Sequence, residues 1–92
     1  MILDFRCSDT RALFEQRRVR RFVNIEAVAL RKQAQLHAAG SLDFLRLPPG
    51  NRLEALSGNR SGQHSIRIND QWRICFTWTD VGPEGVEIVD YH

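Results

Sequence analysis

From Gly62 to Trp78 the chain alternates with a period of two, broken once by Asn69-Asp70-Gln71. Half-buried strands require this period, so the stretch predicts a hairpin. Ile66 and Ile68 on its first strand and Trp72, Ile74, Phe76 and Trp78 on its second face a core, which turns Ser65, Arg67, Arg73, Cys75 and Thr77 to the other side. If both apolar sets share one face, the loop holds an odd number of residues, and the three-residue break sets Arg67 directly opposite Arg73. Two opposed guanidiniums cost a fraction of a kcal/mol. The pairing therefore anticipates a carboxylate or phosphate between them.

The rest of the chain is ordered around that hairpin. Ile2 to Arg6 alternates and predicts a first strand, ending at Cys7-Ser8-Asp9 with Asp9 as the helix cap. From Thr10 the period turns helical, placing Leu13 and Phe14 on one stripe with Arg17. Asn24 can cap a second helix from Ile25 to about Ala39, with Gly40 as its stop. Leu42, Leu45 and Leu47 with Pro48-Pro49-Gly50 predict a turn that tucks leucines under the core edge. Asn51 to Leu56 reads as a strand, Ser57 to Gly62 as a turn whose two glycines permit positive φ, Asp80 to Gly85 as a loop, and Val86 to Tyr91 as a last strand. The order strand, helix, helix, four strands predicts an α+β fold, with both helices on one face of a mainly antiparallel sheet. At 92 residues this is one domain, spanning 1–92.

Charge adds a second distinction. The net charge is +2, and among 13 basic residues only Lys32 is not arginine. Arginine suits phosphate because its planar fork makes paired hydrogen bonds; a genome rich in Arg codons gives the same count. Residues 1–48 carry nine basic and five acidic residues, whereas 49–92 carry four and six. The helical half is thus the basic half, and Arg17, Arg18, Arg20 and Arg21 lie within five positions. Taken alone, that run reads first as a solvated helix end and otherwise as a contact for a nucleic-acid backbone. Cys7 and Cys75 form no disulfide framework or metal spacing. The amino terminus meets charge at once and no apolar run nears the ~20 residues of a membrane span, so a soluble cytoplasmic protein is expected.

Chemistry is concentrated at the end of the chain. Asp90, Tyr91 and His92 can each carry a proton, and an imidazole is suited to exchange near neutrality. Beside Arg67 and Arg73, such groups serve phosphoryl chemistry on a nucleic acid. His37, His64 and His92 share no ligand spacing, so no metal or other cofactor is expected. Metal-free cleavage favours RNA, whose 2′-hydroxyl can act as nucleophile. Strict alternation puts Asp90 and His92 on the side of Val86 and Ile88, unless the strand twists, ends before Asp90, or buries Val89 instead.

The stretch PPGNRLEALSGNRSGQHSIRINDQWRICFTW, with the terminal VEIVDYH and with Cys7-Ser8-Asp9-Thr10 and Leu13-Phe14, resembles the HigB toxins, the plasmid-maintenance killer group of the RelE/ParE superfamily. The resemblance implies a microbial-RNase-like fold, cleavage of mRNA in the ribosomal A site, and neutralisation by a HigA-type helix-turn-helix antitoxin. It assigns the active site to Arg73, Asp90, Tyr91 and His92, with Arg67 alongside. Several relatives carry lysine where this chain has Ser57, which leaves the phosphate to Arg67, Arg73 and Arg60. Two other readings fit the residues. One is a gyrase-inhibiting toxin of the ParE kind; the other is a non-catalytic basic module that binds RNA or protein.

Overall fold

Backbone pairing in the second half of the chain builds one antiparallel sheet, its strands side by side in chain order. They are β1 (Glu54–Ala55), β2 (His64–Arg67), β3 (Trp72–Thr79) and β4 (Gly82–Asp90), and the structure, a computed structural model, describes residues 1–90. The β2–β3 register is the expected one, with Ile66 opposite Ile74 and Arg67 opposite Arg73. Asn69 closes the turn, its side-chain oxygen accepting from the Gln71 and Trp72 amides. Ile66, Ile68, Ile74 and Phe76 are buried, and Trp72 and Trp78 pack against them half-buried.

Helix α1 (Ser8–Phe14) and helix α2 (Glu26–Ala38) cover the isoleucine face, giving the α+β layering expected. Their ends depart from the sequence reading. Neither Asp9 nor Asn24 caps a helix, since Cys7 and Ile25 occupy the cap positions; Asp9 instead meets Arg21 at 3.0 Å. Helix α1 stops before Arg17. Gln16 adopts φ 63°, its amide bonding Leu13 O at 2.8 Å while the Arg17 amide reaches Ala12 O at 2.9 Å. This paired closure satisfies the last carbonyls and reverses the chain. Arg17 to Arg21 therefore belong to the inter-helix connection, with buried Val19 and Phe22 as its anchors. The end of α2 is set by an extended Ala39 rather than by a left-handed Gly40.

Helix α2 turns Ala29, Gln33 and Leu36 into the core. Gln33 is fully buried, its Nε2 donating to Thr10 O at 3.1 Å, and Thr10 Oγ1 in turn accepts from the Ile88 amide at 3.0 Å. One polar path thus ties both helices to β4. Asn51, expected in a strand, is instead buried at the end of a 3-10 turn. It donates to Leu45 O, Leu47 O and Gln35 Oε1, and accepts from Lys32 Nζ. Satisfying four groups at once fixes this loop as a unit. Of its leucines, Leu45 is buried, Leu42 is half-buried and Leu47 is 67% exposed, so the tuck expected for all three holds fully only for Leu45.

Two strands differ from expectation. Residues 2–6 make only a parallel bridge of Phe5 with Val86, backed by Leu3 N to Pro83 O at 2.8 Å and Arg6 N to Val86 O at 3.0 Å. Strand β4 begins at Gly82, so the expected Asp80–Gly85 loop shrinks to Asp80-Val81. The register shifts between Cys75 and Thr77, where Gly85 takes φ 60°. A glycine bulge absorbs one extra residue there. Gly82 has a separate constraint, because a Cβ on it would stand 2.3 Å from Met1 O.

Candidate active site

The sheet face away from the helices is ordered in rows. One row crosses all four strands as Glu54, Ser65, Cys75 and Glu87, and the next sets Arg67 beside Arg73 and Val89. Period-two alternation puts these side chains together. Ser65 and Cys75 are fully buried and Arg73 is 9% exposed, so this face is more closed than the sequence implied.

Arg73 is held from several directions. Its Nε donates to Ser65 Oγ at 2.7 Å and its Nη2 to Arg52 O at 2.7 Å, with Glu54 Oε1 3.5 Å away. Arg52 can offer that carbonyl because it adopts a left-handed conformation at φ 46°. Arg67 turns instead to Asp70 within its own loop. The anion anticipated between the two arginines is thus replaced by two carboxylates, one for each guanidinium. Arg60 donates to Gln63 Oε1 and Glu87 Oε1, both at 3.2 Å. Ser57 is exposed at the start of that turn, its carbonyl accepting from the Arg60 amide at 3.2 Å. Burial pushes the Cys75 thiol pKa up, while the opposing charges of Arg60 and Arg73 and of Glu87 and Glu54 partly offset one another.

The remaining sequence candidates fall elsewhere. Asp90 pairs with Trp72 and so lies on the other face from Arg73, its Oδ2 accepting from Gln71 Nε2 at 3.1 Å. Val86 and Ile88, rather than Val89, are the core residues. Tyr91 and His92 lie outside the described residues. Arg17, Arg18, Arg20 and Arg21 are exposed in the connection between the helices, and the structure does not bring them to the sheet arginines. Arg17 meets Glu15 at 2.6 Å; Arg21 meets Asp9, donates to Cys7 Sγ at 3.3 Å, and stacks over the Phe22 ring at 4.6 Å. Burial alone would raise the Cys7 thiol, but hydrogen bonds from Thr10 and Asp9 and the charge of Arg21 outweigh it and lower its pKa. No group of three His, Cys, Asp or Glu that could hold a metal occurs among the described residues. No helix among them is long and apolar enough to cross a membrane.

The sequence reading missed Ser65, Arg52 and Glu54 as the partners that orient Arg73. Parity placed Ser65 on the right face and could have found it; the carbonyl of Arg52 leaves no sequence signal.

A small α+β domain with two helices on one face of an open four-stranded antiparallel sheet is consistent with a RelE-like fold. The family profile described as "RelE-like toxin of type II toxin-antitoxin system HigB" matches residues 4–92, and the chain belongs to this HigB-like family. It is 40% identical over 82 residues to Toxin HigB-1 of Vibrio cholerae serotype O1, covering 87% of this chain and 86% of that protein. It is also 34% identical over 55 residues to an uncharacterized protein of Haemophilus influenzae, covering 60% of this chain and 54% of that one.

Proposed function

We propose that this toxin is a cytoplasmic, ribosome-dependent endoribonuclease that cleaves mRNA in the A site and so stops translation. The observation that carries the reading is the cross-strand pair Arg67 and Arg73, one accessible and one fixed. Asp70 is 99% exposed, so its pair with Arg67 is weak and an incoming phosphate can replace it. Arg73, already oriented by Ser65 and Arg52, needs no reorganisation as charge grows on the phosphate, which is the condition for electrostatic stabilisation of a transition state. Arg60 and Ser57 line the approach at the neighbouring turn.

In this reaction the 2′-oxygen bonds to the adjacent phosphorus as the bond to the 5′-oxygen breaks. The 2′-hydroxyl gives its proton to a base, and the leaving oxygen receives one. Because the RNA supplies its own nucleophile, the scheme needs no metal. The proton carriers come from Asp90, Tyr91 and His92, among which the imidazole is the group suited to exchange protons near neutrality and Tyr91 can donate to the leaving oxygen. Acid-base transfer supplies only roughly 10²- to 10⁴-fold, so positioning by the ribosome must supply the rest. Arg17, Arg18, Arg20 and Arg21 serve as contacts to ribosomal RNA, and the antitoxin is of the HigA helix-turn-helix type.

Single-turnover cleavage on programmed ribosomes tests this. The parent should produce new mRNA ends in the A site, while Arg67→Ala and the chain lacking His92 should each slow by about 10²-fold or more without losing ribosome association. Absence of new ends with the parent protein would refute the nuclease reading and leave gyrase supercoiling as the next assay.

A further inference from the structure

Residues 51 and 52 join the two faces of the sheet. Asn51 is fully buried against α2, where Lys32 and Gln35, three positions apart and so on one side of the helix, both reach it. Its Oδ1 accepts from Lys32 Nζ, and its Nδ2 donates to Gln35 Oε1 and Leu45 O at 3.1 Å and to Leu47 O at 3.2 Å. Arg52 serves the opposite face, its carbonyl accepting from Arg73 Nη2 at 2.7 Å. A clasp on the helix layer thus stands next in the chain to a partner of the site arginine.

The backbone of Arg52 connects the two. It adopts φ 46° and ψ 54°, with its amide bonded to Pro49 O at 3.1 Å. A residue with a Cβ keeps a left-handed conformation only where its surroundings impose it. Arg52 is exposed, so the restraint comes from the chain beside it, and Asn51 is the buried neighbour that four hydrogen bonds hold in place. Lys32 lies within reach of the sheet arginines as well: burial lowers its pKa, and the charges of Arg31 and Arg67 lower it further.

We propose that Asn51, gripped by Lys32 and Gln35, is a positioning residue for Arg73. The clasp on α2 fixes the Arg52 carbonyl, and that carbonyl sets the plane of the guanidinium. A planar fork meets a phosphate well at one angle only, so the helix layer reaches the chemistry on the far side of the sheet. The inference rests on the reading of Arg73 as the cation that faces the growing charge, since that role gives its angle a catalytic consequence.

The test follows the Arg73 Nε–H by NMR, assigned by its loss in Arg73→Gln, beside single-turnover cleavage on programmed ribosomes. Asn51→Asp keeps the side-chain shape but sets a carboxylate against three acceptors. Lys32→Met keeps the stem and removes one donor, and it carries the test should Asn51→Asp not fold. Leu42→Ala takes a core contact from the same loop and none of the clasp bonds, so it controls for plain loss of stability. In the clasp variants the Arg73 Nε–H should exchange with solvent about three- to tenfold faster than in the parent. The saturating cleavage rate should fall by about tenfold with the half-saturating toxin concentration unchanged, the mark of an interaction made in the transition state. Lys32→Arg restores a donor and should return both values toward the parent's, whereas Leu42→Ala should melt lower with both unchanged. Parent exchange in Lys32→Met would overturn the proposal. So would equal quickening in Leu42→Ala, which would trace the effect to general loosening. A parent protein that cleaves no mRNA would sink the nuclease reading, and the exchange rates would still decide whether the clasp positions Arg73.

Discussion

Arg73 is 9% exposed and fastened to Ser65, Arg52 and Glu54, whereas Arg18 and Arg20 stand exposed between the helices with no ion pair among the described residues. The two regions spend the same side chain differently. On the sheet face Arg73 is held in a fixed frame by Ser65, Arg52 and Glu54, which suits stabilising charge that develops at one point. In the connection the arginines are carried by apolar anchors and left in solvent, which suits long-range attraction of a polyanion. The cysteines divide likewise: Cys7 has a lowered pKa beside exposed Arg21, and Cys75 a raised one inside the sheet row.

Substitutions can break this contrast on a graded scale. Phe22 is fully buried just after the arginine run and stacks edge-on with Trp72 at 5.5 Å, so Phe22→Ala should destabilise by about 3–5 kcal/mol in urea unfolding. That loss, set against intact folding when the neighbouring arginines are changed, would locate all the stability of the connection in its anchors. Arg73→Ala leaves Ser65 and the Arg52 carbonyl without a donor and should cost about 1–3 kcal/mol by the same measurement. An unchanged midpoint would mean that the frame does not depend on its arginine.

Alkylation by iodoacetamide at pH 7.5 compares the cysteines. A lowered pKa means more thiolate at that pH and a raised one means less, so Cys7 should react at least about tenfold faster than Cys75, equivalent to about 1.4 kcal/mol of barrier. Peptide mass spectrometry reads both rates, and adding urea should erase the difference. The smallest effect belongs to Arg18→Gln with Arg20→Gln, which should leave stability within about 0.5 kcal/mol. The same pair should flatten the salt dependence of ribosome binding by about one to two in log–log slope; an unaltered slope would return these arginines to plain solvated surface.

What could be read from the residues follows where one period dominated. The hairpin register came from strict alternation, because slipping Ile66, Ile68, Ile74 and Phe76 by one position would expose all of them. The start of β4 was hidden because Gly82, Pro83 and Gly85 imitate a loop, and only pairing with β3 turns that composition into a strand with a bulge. Gln33 and Asn51 were unreadable for a related reason. Polar residues enter a core only when distant backbone groups accept them, and here those groups belong to Thr10, Leu45 and Leu47. At the site, parity put Arg67 and Arg73 on one face, but neighbouring charges could not show which would be locked and which accessible.

The bridge between Phe5 and Val86 has a consequence for how the chain comes into being. Asp4 accepts from the Gly85 amide through its carboxylate, and Thr10 accepts from Ile88, contacts separated by 81 and 78 positions. Such distant pairings are slow to form because the intervening chain must be ordered first. During synthesis the amino-terminal segment emerges early and waits, since its partners exist only once residues 83–88 have been added. Helices and hairpin can assemble before then, but the segment that closes the edge of β4 cannot. A growing polypeptide therefore lacks this closure until residues 83–88 have been added, and the edge of β4 is sealed late in its own translation.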